Sequence, residues 1–190
     1  MMINSSKSTE GRVILGIDPG TTVMGYSVIC QSAQTPKLLT IGILKLHKYD
    51  DHYVKLQRIF ERTVQLINEY KPDELAIEAP FYGKNVQSML KLGRAQGAAI
   101  SAALSRNIPI FEYAPRKIKM AISGHGTASK DQVAAILRKV FKYDELPDYL
   151  DATDALAAAL CHSYQKKFNS PKGIVKNWKS FISQNPGRVK

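Results

Sequence analysis

Two apolar runs in this chain stop abruptly on a carboxylate: Val13–Asp18 (VILGID) and Leu75–Glu78 (LAIE). Runs this short and this apolar, bounded by turn residues, suit buried strands of a sheet. Buried strands need helices packed on the sheet, which points to a layered α/β chain. Pro19-Gly20 ends the first run. Met24–Cys30 and Leu38–Leu46 read as the next two strands, and their short connections favour an antiparallel meander.

Helical spacing then takes over. Leu56, Ile59, Phe60, Val64 and Ile67 recur on one side of a segment from Tyr53 to Tyr70, which Pro72 closes. Asn85–Arg106 is rich in Ala, Leu and Gln and free of proline. It predicts a helix in which Gly93 and Gly97 allow close packing against the sheet. Ile108–Tyr113 reads as a fifth strand and Ser123–Ser129 as a loop. Ser129 and Gln132 have the spacing of a capping box for a helix through Phe141. A last helix is expected over Asp148–Gln165. A three-strand meander followed by alternating helix and strand gives a mixed five-stranded sheet with helices on both faces, an order similar to the ribonuclease H-like fold. The expected division is a polar N-terminal extension over residues 1–11, a ribonuclease H-like domain over 12–166 and a flexible basic tail over 167–190.

Charge narrows the class of partner. Lys and Arg number 27 against 16 Asp and Glu, a net +11 with a pI near 9.6, which favours a polyanion such as nucleic acid. Residues 166–190 carry seven of those cations and no acid, which leaves +4 on the rest. This stretch reads either as a flexible solvated tail or as a direct DNA contact, with Phe168, Trp178 and Phe181 able to dock as a short element. Cys30 and Cys161 lack the spacing of a metal or redox motif and read as reduced, packed thiols. No stretch approaches the ~20 apolar residues of a membrane span, so a cytoplasmic location without membrane attachment is expected.

Four carboxylates carry the chemistry. Asp18 and Glu78 each stand where a buried strand opens to solvent, and a sheet can hold them side by side. Asp151 and Asp154 are spaced i, i+3 in an alanine-rich helix (DATDALAAAL), on one face of it. Singly, Asp18 also reads as a turn residue, Asp151 as a helix N-terminal charge and Asp154 as a solvated side chain. Gathered in one place, they would raise one another's pKa unless cations were bound. Hard oxygen ligands suit Mg²⁺, with Mn²⁺ as a substitute. Two such ions about 3.5–4 Å apart promote phosphodiester hydrolysis.

The segments LGIDPG with GY (Leu15–Gly20, Gly25-Tyr26), AIEAPFYGKN (Ala76–Asn85), LKLGRAQG (Leu90–Gly97), FEYA (Phe111–Ala114) and DATDAL (Asp151–Leu156) resemble, in order and spacing, the signatures of the RuvC family of Holliday junction resolvases. The resemblance runs from about Val13 to Tyr164. It implies a homodimeric endonuclease that nicks four-way junction DNA in recombination and repair, with two Mg²⁺ per site held by Asp18, Glu78, Asp151 and Asp154. By the same resemblance Phe81 wedges at the crossover, and Tyr82 assists it by stacking. Lys119 and Lys130 meet phosphate, and Lys130 also stabilises transition-state charge. Lys84, Arg94, Arg116 and Lys117 are weaker DNA-binding candidates, and His125 is left open. Helix Asn85–Arg106, with Gly93, Gly97, Ala98 and Ala102, is the candidate dimer interface. RuvA and RuvB are the implied branch-migration partners. The rivals are a small nuclease acting on RNA duplexes, a non-catalytic junction-binding module, and an ATPase of the actin and Hsp70 (ASKHA) class. The ATPase class shares the DPGT turn at Asp18–Thr21 but needs a second lobe.

Overall fold

A computed structural model describes residues 11–32, 35–80, 85–142 and 150–165. The N-terminal extension up to residue 10, Phe81, Tyr82, Lys84 and the tail from residue 166 lie outside the described residues.

Strands β1 (Arg12–Asp18), β2 (Val23–Gln31) and β3 (Pro36–Lys45) form the expected meander. Helix α1 (His52–Tyr70) then crosses over to β4 (Glu74–Glu78), which pairs parallel with β1. Helix α2 (Val86–Leu104) leads to β5 (Ile110–Tyr113), parallel with β4. The sheet order is β3-β2-β1-β4-β5, a mixed sheet of the expected five strands. Helices α3 (Pro115–Ser123), α4 (Lys130–Phe141) and α5 (Leu150–Tyr164) complete the fold.

Strand periodicity divides the core in two. Val13, Leu15 and Ile17 of β1, with Leu75 and Ile77 of β4, pack with Ile59, Leu66 and Ala99 from α1 and α2. Ile14 of β1 and Ala76 of β4 point the other way, toward Leu156, Ala159 and Leu160 of α5 and toward Ile118 and Val133 of α3 and α4. Side chains alternate along a strand, so Asp18 and Glu78, even-numbered like Ile14 and Ala76, stand on the α5 face. Both cysteines are buried and free, and burial lifts the Cys161 thiol to about 11, which leaves it protonated and inert at neutral pH. Among the described residues no helix is long and apolar enough to cross a membrane.

Boundaries and caps explain the departures. Asp51 caps α1 through its side chain, Asn85 caps α2, and Ser129 with Gln132 forms the anticipated capping box on α4. Helix α3 occupies a stretch whose basic residues drew attention while its helicity went unanticipated. Pro115 at its first turn and Gly124 beyond its end, in the left-handed conformation, are the stop and start signals. Gly93 and Gly97 do not pack against the sheet: a side chain added at either would meet open space. The glycines that do admit close packing are Gly16 and Gly25. A Cβ on Gly16 would lie 2.2 Å from the Ala155 carbonyl oxygen, and one on Gly25 would lie 1.9 Å from that of Asp151. Helix α5 therefore rests directly on the backbones of β1 and β2, through Ala152, Ala155 and Ala159.

Candidate metal-dependent nuclease site

That close seating assembles the site. Asp18 is the register partner of Gly25, and the first turn of α5 lies over Gly25, so Asp151 comes beside Asp18. In the parallel pairing Gly16 matches Ala76 and Ile17 matches Ile77. One residue further, Asp18 and Glu78 stand at the same edge of the sheet. Asp154, one turn along α5 from Asp151, completes the group.

The electrostatics show how tightly the four are gathered. Burial first, then the charges of Glu78, Asp154 and Asp151, raise the Asp18 pKa from 3.8 to about 8, with Lys130 opposing. Burial and Asp154 likewise raise Glu78 from 4.5 to about 7, against Lys130 and Lys119. Among the described residues no three acidic, histidine or cysteine side chains close around a common point. Like charges spread apart, and the Asp154 carboxylate accepts a hydrogen bond from the Lys130 ammonium at 2.5 Å. Burial lowers the Lys130 pKa, but the hydrogen bond and the charge of Asp154 outweigh it and the net shift is upward. Half-buried carboxylates that Lys130 only partly matches are a site for hard cations, and the donor set here, all oxygen, fits Mg²⁺.

Two depressions meet at Glu78. A cleft of ≈ 520 Å³ is lined by Asp18, Pro19, Gly20, Thr21, Thr22, Glu78 and Asp151 among others, with Leu92 of α2 on its wall. A smaller one of ≈ 160 Å³ is lined by Glu78, Lys119, Lys130 and Asp154, with Pro115, Ile118, Val133 and Ala157. The carboxylates thus face one hollow with a polar turn at its rim and another with two ammonium groups.

Of the weaker candidates, Arg116 is exposed and lies under Gly126 in the loop before α4. Lys117 sits over the Tyr113 ring at 4.9 Å. Arg94 is placed near His52 at the start of α1, where it helps lower the histidine's pKa after burial and ahead of Lys91. His125 is exposed, and its carbonyl accepts from the Ser123 hydroxyl. None of these four is among the groups acting on Asp18 or Glu78. The sequence reading missed the parts played by Gly16, Gly25, Thr21, Thr22 and Leu92. A glycine inside a buried strand is a signal of close backbone approach, and Gly16 carried it.

The family model for crossover junction endodeoxyribonuclease RuvC matches residues 14–162. The crossover junction endodeoxyribonuclease RuvC of Cytophaga hutchinsonii is 55% identical over 100% of this chain and 94% of its own length. That of Bacteroides fragilis is 56% identical over 94% of this chain and 96% of its own. Thermus thermophilus RuvC, solved in complex with a Holliday junction substrate, superposes with a TM-score of 0.75 at 32% identity, covering 80% of this chain and 93% of that one. The yeast mitochondrial Holliday junction resolvase Ydc2 shares the fold, at a TM-score of 0.58 and 15% identity. With its motifs in order, its sheet and helices in the same arrangement and its similarity extending over nearly the whole length, this chain belongs to the crossover junction endodeoxyribonuclease RuvC family.

Proposed function

We propose that the chain resolves Holliday junctions by metal-dependent phosphodiester hydrolysis at the site formed by Asp18, Glu78, Asp151 and Asp154. The observation that carries this reading is the convergence of β1, β4 and α5 on four carboxylates whose mutual repulsion Lys130 and Lys119 offset only in part. The four would hold two Mg²⁺, with Mn²⁺ able to substitute. Ions held there would supply Lewis-acid activation of a water and neutralise charge on the leaving 3′ oxygen, a hydrolysis that would leave a 5′ phosphate. Lys130 and Lys119 flank the smaller hollow and hold the scissile phosphate. Lys130, paired with Asp154 in the metal-free protein, would be free to face the transition-state charge if Asp154 held a cation. Arg116, Lys117 and Arg94 add exposed positive charge for the junction arms. Phe81 and Tyr82 follow Glu78 within a few residues of sequence, and in this reading they stack on unpaired bases at the crossover while Lys84 meets phosphate.

Two matched nicks require two sites related by a two-fold axis. On α2, Val86, Leu90 and Leu104 are exposed at 61%, 52% and 59%, and with Gly93 and Gly97 they follow helical spacing along one side. This stripe is the dimer interface of the reading, without the expected Ala98 and Ala102, because Ala102 is fully buried and Ala98 packs against the core. The enzyme works on bacterial DNA in the cytoplasm, where RuvA and RuvB present the junction. The similarity to RuvC proteins over nearly the full length of both chains disfavours a junction-binding module without catalysis and an ATPase.

The test is a gel assay of end-labelled mobile four-way junctions of varied core sequence with Mg²⁺. Paired, symmetric, ligatable nicks made by the wild type and not by Asp18→Asn are expected. Binding without nicks in Mg²⁺ and Mn²⁺ would overturn the proposal, and a monomeric mass at working concentration would remove the dimer from it.

A further inference from the structure

Four residues before Glu78, on the same face of β4, Glu74 meets α5 a second time. Its carboxylate Oε2 lies 2.9 Å from the Nε2 of His162, and the other imidazole nitrogen, Nδ1, is 2.6 Å from the Tyr113 hydroxyl on β5. His162 is buried, 3% exposed, and the Phe111 ring stacks on it with centroids 4.3 Å apart. Arg12 of β1 pairs with the same Glu74 oxygen at 3.1 Å and reaches the carbonyls of His162 and Ser163 at 3.4 Å each. It thereby satisfies groups that a helix C-terminus leaves open.

Nothing in the site described above uses this cluster, yet its spacing matches that site. Glu74 to Glu78 is four strand residues, about 13 Å, and Asp154 to His162 is eight helix residues, about 12 Å. The two elements run in opposite directions, so seating His162 on Glu74 brings Asp154 to Glu78. Between them α5 lies close on the strand backbones, Gly16 and Gly25 below and Ala152, Ala155 and Ala159 above, with Leu156 and Leu160 buried in the same core. Those apolar contacts are non-directional, whereas a buried imidazole bonded at both nitrogens defines how far the helix has slid along its axis. At the other end the contact is the exposed Lys130–Asp154 pair, which metal would break.

We propose that Glu74 and His162, held by Arg12 and Tyr113, form a pin that fixes the axial register of α5 on the sheet, and are positioning residues that keep Asp151 and Asp154 opposite Asp18 and Glu78. The proposal rests on the metal-site reading above. The pin acts through the helix over about 12 Å and touches neither metal nor DNA.

The test is Mn²⁺ binding to the DNA-free protein, followed by loss of the free-ion electron paramagnetic resonance signal, with thermal melting in parallel. His162→Leu is expected to weaken Mn²⁺ binding about tenfold, the size of an outer-shell effect on a metal site. His162→Gln, which keeps an N–H toward Glu74, stays within about threefold of wild type by the same scale. Ile67→Ala removes a buried side chain from α1 on the opposite face of the sheet. It lowers the melting temperature while leaving Mn²⁺ affinity unchanged. Should His162→Leu fail to fold, Tyr113→Phe deletes only the hydroxyl on Nδ1 and is expected to show a smaller weakening in the same assay. Wild-type affinity in the folded variant, or an equal loss in Ile67→Ala, would overturn the pin. A wild type that binds no more Mn²⁺ than Asp18→Asn would instead overturn the metal site on which it rests.

Discussion

The seam between β4 and α5 has two ends, each with a glutamate from the strand facing the helix, and they are chemical opposites. At one end Glu74 is matched by Arg12 and His162, and its pocket is closed by Tyr113 and Phe111. At the other, Glu78 faces Asp154 and Asp18, and both Glu78 and Asp18 hold their protons well above the usual carboxylate range. Burial is common to both ends, so it does not explain the difference. What differs is whether the protein supplies the countercharge. Where it does, the carboxylate stabilises the fold. Where it does not, the carboxylate costs stability until a cation arrives, and that cost is the mark of a site built for something outside the chain.

The sharpest way to break this contrast is to neutralise one carboxylate at each end. Asp18→Asn at the open end is expected to reduce junction nicking by at least about a hundredfold, since even outer-shell partners of a metal site reach that size. Junction binding in the absence of metal should persist, as measured by gel shift. Nicking within a few-fold of wild type would mean that Asp18 holds no essential cation.

Seating comes next. Gly25→Ala would drive a Cβ into the Asp151 carbonyl, from which it would lie 1.9 Å, so α5 must lift at the turn that carries Asp151 and Asp154. A loss of roughly 1–3 kcal/mol is expected from overpacking, read by denaturant unfolding, together with weakened cleavage. A stable, fully active variant would show that α5 does not need this close approach.

Glu74→Gln reverses the sign at the closed end. It leaves the Arg12 charge partly uncompensated and takes the charged acceptor from His162 Nε2, and is expected to cost about 1–2 kcal/mol, again by denaturant unfolding. A neutral or stabilising result would erase the distinction between the two ends.

How much of this was open to a reading of the sequence depended on whether the needed partner lay nearby in the chain. Asp18 and Glu78 stood out because each ends an apolar run, and strand alternation alone puts Glu78 on the same face as Ala76. Asp151 and Asp154 were legible as an i, i+3 pair. Helix α3 was missed because its basic residues drew attention to DNA while Pro115 and Gly124, its terminal signals, went unread. Gly93 and Gly97 suggest close packing by composition, but a helical glycine does not show which way it faces, and α2 turns them outward. Glu74 and His162 gave no sign of each other. They are 88 residues apart, one looks like the polar start of a strand and the other like a histidine in a last helical turn, and only the seating of α5 on β4 brings them together.

Stability as a function of pH, with and without Mg²⁺, tests the contrast most directly. Asp18 and Glu78 bind protons more tightly in the native state than when unfolded, where their pKa values are near 4. Between about 4 and about 8, where Asp18 ends, the native protein therefore holds protons that the unfolded chain has released. Their contribution to stability falls as pH rises through that window, and it outweighs the opposing contribution of His162 and His52, whose pKa values burial lowers. The metal-free protein is expected to melt roughly 5–10 °C lower at pH 8 than at pH 5. Mg²⁺ should recover much of the loss at pH 8 and little at pH 5, because it binds the ionised native site. Asp18→Asn should flatten the pH dependence and lose the response to Mg²⁺. A wild-type melting temperature indifferent to both pH and Mg²⁺ would contradict the account, since the open end of the seam would then carry no uncompensated charge for a cation to meet.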